Sequence, residues 1–570
     1  MATIIVQPGG ARAGKQRVDL TAVAHNRLML LLILFMAITA VVILRLTWVG
    51  IFAHGASGDG AVSGLLPARA DIVDRNGVPL ARTMDAYSIA VRPSKLIGEP
   101  AELARKLHEI FPDEPEAAFY KKLTGKGWAY LRRRALPEEV AAVNALGEIG
   151  IEFPREKERL YPQRSLAAHV LGFAPNADGQ GGMGVEAAFN DRLTDPALRG
   201  QPFAISIDSR VQGALESELY AQMVAQNAKG AGGIIMDVNT GEVIAMASIP
   251  VFDPNKLQNY AGKKCSESPL CNHMVQARYE LGSTFKPLSI GEAMDRGVVT
   301  SMAKRYDATA PLAVAGFKIK DDHALGRWIN VPEILVHSSN IGTARIADEM
   351  GAAPMQQLFR NLQFDQRAPI ELKERAKSIW PYNWGRITTM TVSYGHGIAV
   401  TPLHLAAAYA ALVNGGIWRP ATLRKLHANE VPEGHRVFSA ATSARMRQLL
   451  RMIVAAGTGR SADAKGFRVG GKTGSAEKPE EGRYNKSSLV TTFASAFPMD
   501  NPRYVVLTMM DEPKGNAQTF GLRTAAWTAA PVVKRVIERT APMLGVLPDE
   551  RRDVDISDLM PLLGQDKDKD

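Results

Sequence analysis

"YELGSTFKPLSIGEAMDRG", residues 279–297, sets Ser283 three positions ahead of Lys286 at the opening of an apolar, helix-forming run. A serine hydroxyl is a poor nucleophile at neutral pH and needs an adjacent base. Residues i and i+3 share one helix face, so a helix opening here sets the lysine beside the serine. A lysine acts as base only where burial or neighbouring positive charge lowers its pKa. Gly282 permits a tight entry and Pro287 fits only a first turn, so a helix is predicted from about Ser283. The serine would then stand at the positive end of the helix dipole, where free backbone N–H groups stabilise an oxyanion. The same S-x-x-K spacing recurs at Ser301–Lys304 and Ser475–Lys478, neither followed by an apolar helical pattern of this kind. Spacing alone therefore does not separate a catalytic pair from two polar residues that open a helix.

Two further signals lie downstream. "VHSSNIGTARIA" contains Ser338-Ser339-Asn340, the chain's single S-x-N of this type, and "RVGGKTGSAEK" contains the single K-T-G, Lys472-Thr473-Gly474. The gaps from Ser283 to Ser338 and from Ser338 to Lys472 are 55 and 134 residues. Alone, the first would be a helix cap and the second a strand-end turn. Three matches in order, each in suitable local context, argue for one site rather than three coincidences. Other chemistry-bearing patterns carry less. Asp321-Asp322-His323 has no partner at ligand spacing and reads as a polar loop; C-x-x-C and H-E-x-x-H are absent, and neither metal nor cofactor is expected. Gly179 to Gly184 spells G-x-G-x-x-G, but the loop "PNAD" precedes it where a dinucleotide site needs a strand, so it reads as a glycine-rich turn before a helix. His396, in "YGHG", is not placed by sequence.

The N-terminus sets the compartment. "LMLLLILFMAITAVVIL" is unbroken apolar sequence from Leu28 to Leu44, and "LTWVGIF" continues to Phe52 beyond Arg45. About 20 apolar residues span a bilayer, with Arg45 snorkelling and Trp48 at an interface. Arg12, Lys15, Arg17 and Arg27 precede it against Asp19, so residues 1–27 are expected in the cytoplasm and everything after 52 outside. The rival is a cleaved signal peptide ending in the small residues "AHGASG". Net charge is +10, without a basic block or aromatic–basic alternation of the kind that binds nucleic acid. Cys265 and Cys271 are close enough to bridge in an oxidising space, or else are two surface thiols. With 570 residues, two or more domains are expected. Short strands with a hairpin at Asn76–Gly77 come first, residues 100–150 read helical, and a second pattern begins near 203 with two apolar strands around Asn239-Thr240-Gly241.

These residues closely resemble class B penicillin-binding proteins. "YELGSTFKP" is similar to that family's nucleophile motif, with Leu281 where many members have proline. "RADIVDRNG" resembles the start of its N-terminal domain, with Ala70 for a usual glycine, and "RLYPQRSLAAHVLGF" and "GGMGVEAAFNDRL" resemble later parts of that domain. "SYGHGIAVTPLHLAAAYAALVNGG" is most similar to the septal, FtsI-type branch, with the elongation branch as runner-up. The resemblance implies an α+β fold: an antiparallel transpeptidase sheet between helical layers, with an N-terminal mixed α/β domain and one transmembrane helix. It divides the chain into residues 1–27, 28–52, 53–202 (non-catalytic), 203–545 (transpeptidase) and a flexible tail, 546–570.

The resemblance also implies roles. Ser283 attacks the penultimate D-Ala carbonyl of a stem peptide while Lys286 takes its proton. Ser338 relays a proton to the departing D-Ala, and Asn340 binds the substrate amide. Lys472 and Thr473 bind the terminal carboxylate, Gly474 lets the substrate backbone approach, and the N–H groups of Ser283 and Ser475 form the oxyanion hole. A second stem peptide's amine resolves the acyl-enzyme into a cross-link, and β-lactams acylate Ser283. Division proteins and a polytopic glycosyltransferase are the implied partners. The rivals are a D,D-carboxypeptidase or β-lactamase of the same fold, for which no dedicated deacylating base stands out, and a scaffold with a spent site, against which the intact motifs argue.

Overall fold

The computed structural model describes residues 20–52, 68–174, 182–257, 264–480 and 483–564. Most of the expected cytoplasmic segment, the stretch 53–67, the glycines at 179 and 181 and the last six residues lie outside these. Helix α1, Leu20–Phe52, contains an apolar run from Arg27 to Arg45 that is exposed along its length. Its 19 residues rise about 28 Å at 1.5 Å each, close to the thickness of a hydrocarbon core.

The rest of the described chain, from Ala68, is one compact unit. It begins with a sheet of β1 (Ile72–Val73), β2 (Pro79–Val91), β3 (Ala129–Ala135), β4 (Ile151–Glu152), β5 (Arg155–Leu160) and β6 (Phe203–Ala204), in which β3, β4 and β5 all pair with the long β2. The β1–β2 turn forms at Asn76–Gly77 as expected: Asp74 Oδ1 accepts from the N–H groups of Asn76 and Val78, and Gly77 takes φ +87°. Helices α2 (Pro100–Ile110), α3 (Glu116–Leu123) and α4 (Pro137–Asn144) cover the sheet through Leu103, Leu107, Phe119 and Val143. Strand β3 falls inside the stretch that reads helical. Its "AYLRRRA" holds three arginines that mask the alternation, and only pairing with β2 reveals it. The motif "RAD" anchors this region. Glu186, fully buried, accepts from Arg69, from Arg159 at 2.7 Å and from the Tyr161 hydroxyl at 3.3 Å.

The boundary at 202/203 is less sharp than expected. Residues 203–204 close the N-terminal sheet, parallel to β1, and the ladder continues as Arg75 N–H donates to Ile207 O at 2.9 Å. The chain then enters α5 (Ser209–Ala225), capped by Asp208.

The second sheet is antiparallel throughout: β9 (Gly470–Glu480), β10 (Arg483–Phe497), β11 (Tyr504–Asp511), β7 (Gly230–Asp237) and β8 (Val243–Ile249), in that order, with β9 at the edge. Period-two alternation builds two cores. Ile234 and Met236 face α8 (Pro402–Val413) and its neighbours, while Ile235 faces α5 and α10 (Ala530–Thr540). On the first side lie α6 (Lys286–Asp295), α7 (Asn340–Met350) and α9 (Ala440–Ala456). Every residue of α8 is buried, which matches its uniformly apolar sequence.

One expectation is corrected. The tail beyond 545 is docked through Gly564: Leu559 is fully buried, Asp553 pairs with Arg451 at 2.7 Å, and Asn330 Nδ2 donates to Leu562 O at 2.6 Å. Its charges disguise a segment whose partners lie far upstream, from Asp500 back to Asn330. Cys265 and Cys271 are joined as a disulfide, with Cα atoms 5.1 Å apart.

Candidate active site

Ser283 lies in a 3-10 turn, Gly282–Phe285, and α6 begins only at Lys286. The predicted helix thus starts one turn late. Gly282, at φ +55°, bends the chain in; Thr284 Oγ1 donates to Leu281 O at 2.9 Å, and the buried Tyr409 hydroxyl donates to Thr284 O at 2.8 Å. Residues i and i+3 eclipse in 3-10 geometry, which sets Lys286 Nζ 2.9 Å from Ser283 Oγ.

The turn is held by two glycine contacts. A Cβ on Gly395 would stand 2.2 Å from Gly282 O, and one on Gly474 would stand 2.4 Å from Leu281 O. The missing side chain of Gly474 therefore makes room for the turn that carries Ser283. This packing is a second use of the missing side chain, beside the substrate approach expected of it.

The S-x-N residues arrive from the loop before α7. Ser339 is the helix cap, its Oγ accepting from Gly342 N–H at 3.0 Å. That leaves its neighbours for the site. Ser338 adopts φ +61°, a conformation costly for a side-chain-bearing residue. Its carbonyl accepts from Lys286 Nζ, and its Oγ lies 3.1 Å from Lys286 Nζ and 2.9 Å from Lys472 Nζ. Asn340 Oδ1 accepts from Lys286 Nζ at 2.8 Å, while its Nδ2 donates to Lys320 O at 2.9 Å, which fixes the amide's orientation. On β9, Lys472 Nζ lies 3.2 Å from Thr473 Oγ1, and Thr473 Oγ1 lies 3.0 Å from Thr458 Oγ1. Ser283, Lys286, Ser338, Asn340, Lys472 and Thr473 thus form one connected network. Ser475 stands apart from it, its Oγ accepting from Ala525 N–H at 3.1 Å.

The hydrogen-bond count at Lys286 is informative. Ser338 O and Asn340 Oδ1 can only accept. A neutral amine donates its two protons to these and keeps a lone pair for the Ser283 hydroxyl. Burial favours that neutral form and lowers the Lys286 pKa to about 7, against a smaller upward pull from Asp321 and Asp322. Lys472 is likewise pushed well below the lysine range, by burial first and by the Lys286 charge second.

Three participants escaped the sequence reading. Asp321, assigned to a polar loop, accepts from Ser339 Oγ at 2.8 Å and from Ile341 N–H at 2.9 Å, so it holds the start of α7. Thr458, in "AAGTGRS", orients Thr473; its flanking glycines were the available hint. His396 Nδ1 sits 3.3 Å from Glu280 Oε2, beside the catalytic turn.

Residues 231–538 match the family model described as penicillin binding protein transpeptidase domain, and residues 65–195 match that of the penicillin-binding protein dimerisation domain. The chain is 41% identical over 509 residues to a probable peptidoglycan D,D-transpeptidase FtsI of Caulobacter vibrioides, covering 88% of this chain and 85% of the relative. It is 28% identical to peptidoglycan D,D-transpeptidase FtsI of Escherichia coli, covering 85% and 84%. Among solved structures, penicillin-binding protein 3 from Mycobacterium tuberculosis, complexed with aztreonam, superposes with a TM-score of 0.66 at 23% identity, covering 85% of this chain and 97% of that one, a likeness of fold.

Proposed function

Since the chain belongs to the penicillin-binding protein transpeptidase family, we propose that it is a membrane-anchored, serine-type peptidoglycan D,D-transpeptidase that cross-links stem peptides during septal wall synthesis. Ser283 attacks the penultimate D-Ala carbonyl and Lys286 accepts its proton. Developing charge on the carbonyl oxygen is taken by the N–H groups of Ser283 and Ser475. Ser338, between the two lysine amines, relays a proton to the leaving D-Ala, and Asn340 binds the substrate amide. Lys472 and Thr473 hold the terminal carboxylate, which restores the ammonium form of Lys472 in a site where burial alone disfavours it. The amine of a second stem peptide then displaces the enzyme, leaving a cross-link. β-Lactams enter as D-Ala-D-Ala mimics and stay as adducts.

The observation that carries this reading is the Lys286 amine 2.9 Å from Ser283 Oγ while Ser338 O and Asn340 Oδ1 both accept from it. The septal assignment rests on similarity to relatives named FtsI. Residues 1–27 lie in the cytoplasm, 28–52 span the plasma membrane and the rest lies outside it, an orientation that the positive charges ahead of α1 support. Residues 53–202 and α1 exceed what catalysis requires and serve to recruit division proteins, a membrane-embedded glycosyltransferase among them. Residues 203–545 carry the chemistry. The test is mass spectrometry of the protein after exposure to a penicillin, beside Ser283→Ala. A stable adduct on the Ser283 peptide, absent in the variant, is expected. Rapid drug turnover would indicate a β-lactamase, and no adduct would indicate a scaffold.

A further inference from the structure

The docked tail touches two of the segments that lead into the site. Residues 553–558 run along α9 in the opposite direction to it. Asp553 pairs with Arg451 at 2.7 Å, Asp555 O accepts from Gln448 Nε2 at 2.7 Å, and Asp558 pairs with Arg445 at 2.6 Å. Leu559 is fully buried in the core, and the tail then reaches a short helix, Val331–Val336. There Asn330 Nδ2 donates to Leu562 O at 2.6 Å, and Glu333 Oε1 accepts from Gly564 N–H at 3.2 Å.

Asn330 and Glu333 cap this helix reciprocally. Asn330 Oδ1 accepts from Glu333 N–H at 3.0 Å, and Glu333 Oε2 accepts from Asn330 N–H at 2.9 Å. Each residue keeps one further polar atom, and the tail meets both: Nδ2 finds Leu562 O, and Oε1 receives Gly564 N–H beside the Arg327 guanidinium. The two residues are only 4% and 3% exposed, so an unmatched donor or acceptor there is costly.

The short helix leads directly to Ser338. All six of its residues are buried, and Ser339 N–H donates back to Ile334 O at 2.9 Å. Its last turn thus fixes the loop in which Ser338 takes φ +61°, a conformation that persists only where its surroundings over-determine it. The far end of α9 belongs to the same frame. A Cβ on Gly457 would stand 3.0 Å from Val336 O, and the next residue is Thr458, which orients Thr473. We propose that residues 553–564 are a strap that ties the Ser338-bearing helix to α9, with Asn330 and Glu333 as positioning residues for Ser338. The proposal rests on the transpeptidase reading, in which Ser338 relays the proton to the leaving group.

The test is penicillin acylation of the full chain in detergent, with the rate constant at saturating drug separated from the binding constant. Two variants loosen the strap. In Asn330→Ser the hydroxyl still accepts from Glu333 N–H as a helix cap, but the donor to Leu562 O is lost. A chain ended after Leu559 keeps the buried anchor and the α9 contacts, but loses Leu562 and Gly564. Each should lower the acylation rate constant by about three- to tenfold, the worth of one buried hydrogen bond felt at the reacting groups, with drug binding unchanged. Glu186→Gln, which destabilises the N-terminal region instead, should acylate at the parent's rate at a temperature where all the variants are folded. A parent-like rate constant in either strap variant, a loss seen in binding alone, or an equal loss in Glu186→Gln overturns the proposal. A parent chain that formed no adduct would overturn the transpeptidase reading and the strap with it, whereas parent-like rates in the strap variants overturn the strap alone.

Discussion

With neutral Lys286 as the base, as proposed, the rate of Ser283 acylation by a penicillin should rise with pH through about 7 and then level off. An ordinary lysine, pKa near 10.4, is neutral in only about one molecule in two to three thousand at pH 7. With its pKa lowered to about 7, Lys286 is neutral in roughly half, a gain of about 10³ in competent enzyme. The same burial costs stability. Between about pH 7 and the unfolded lysine's pKa, the unfolded chain binds a proton that the folded chain does not. Stability therefore rises with pH across that window, by about 5 kcal/mol for this residue, and below it the penalty is fully present. Both Asp321 and Asp322 favour the charged amine. Asp321 also holds Ser339 and Ile341, so Asp322→Asn is the cleaner perturbation, and it should move the midpoint of the rate profile downward. Stopped-flow acylation between pH 5.5 and 9.5, wild type beside Asp322→Asn, measures this. A profile flat below pH 8, a wild-type midpoint near 10, or a midpoint raised by Asp322→Asn would refute the electrostatic account of Lys286.

Gly474→Ala puts a methyl group 2.4 Å from the Leu281 carbonyl oxygen and must displace the turn carrying Ser283. Acylation should slow by about 10² or more while the fold persists, and kinetics alongside circular dichroism would separate the two. Glu186→Gln removes the carboxylate that neutralises two arginines in a buried cluster. The cost should be about 3–5 kcal/mol, visible as a lowered denaturant midpoint; an unchanged midpoint would show that the cluster relaxes at no cost. Leu559→Ala should destabilise by about 2–5 kcal/mol because the side chain is fully buried, whereas a loose tail would show no change in urea unfolding.

What could be read from sequence was whatever chemistry writes into short spacings. The proton exchange proposed for Ser283 and Lys286 needs both within one turn, so their separation is local; apolar helix α8 and the Asn76–Gly77 turn are local too. Asp321 was missed because its meaning depends on Ser339 and Ile341, some 20 residues on. Thr458 depends on Thr473 across a helix–strand junction. Strand β3 and the docked tail share this cause: their charges look solvated until partners such as Asp113 for Arg132, or Arg451 for Asp553, come from elsewhere in the chain. The case of Gly474 goes further. Sequence offered one reason for it, the approach of a substrate backbone, and could not supply a second, since absence of a side chain signals only that something approaches. The neighbour is the turn that carries Ser283. Edge strand and nucleophile turn are thereby packed backbone to backbone, which sets Lys472 and Lys286 on the two sides of Ser338 Oγ. Two of the three motifs meet because Gly474 lets their backbones touch, and the third is tied in by the Lys286 and Lys472 side chains, a condition that no motif taken singly expresses.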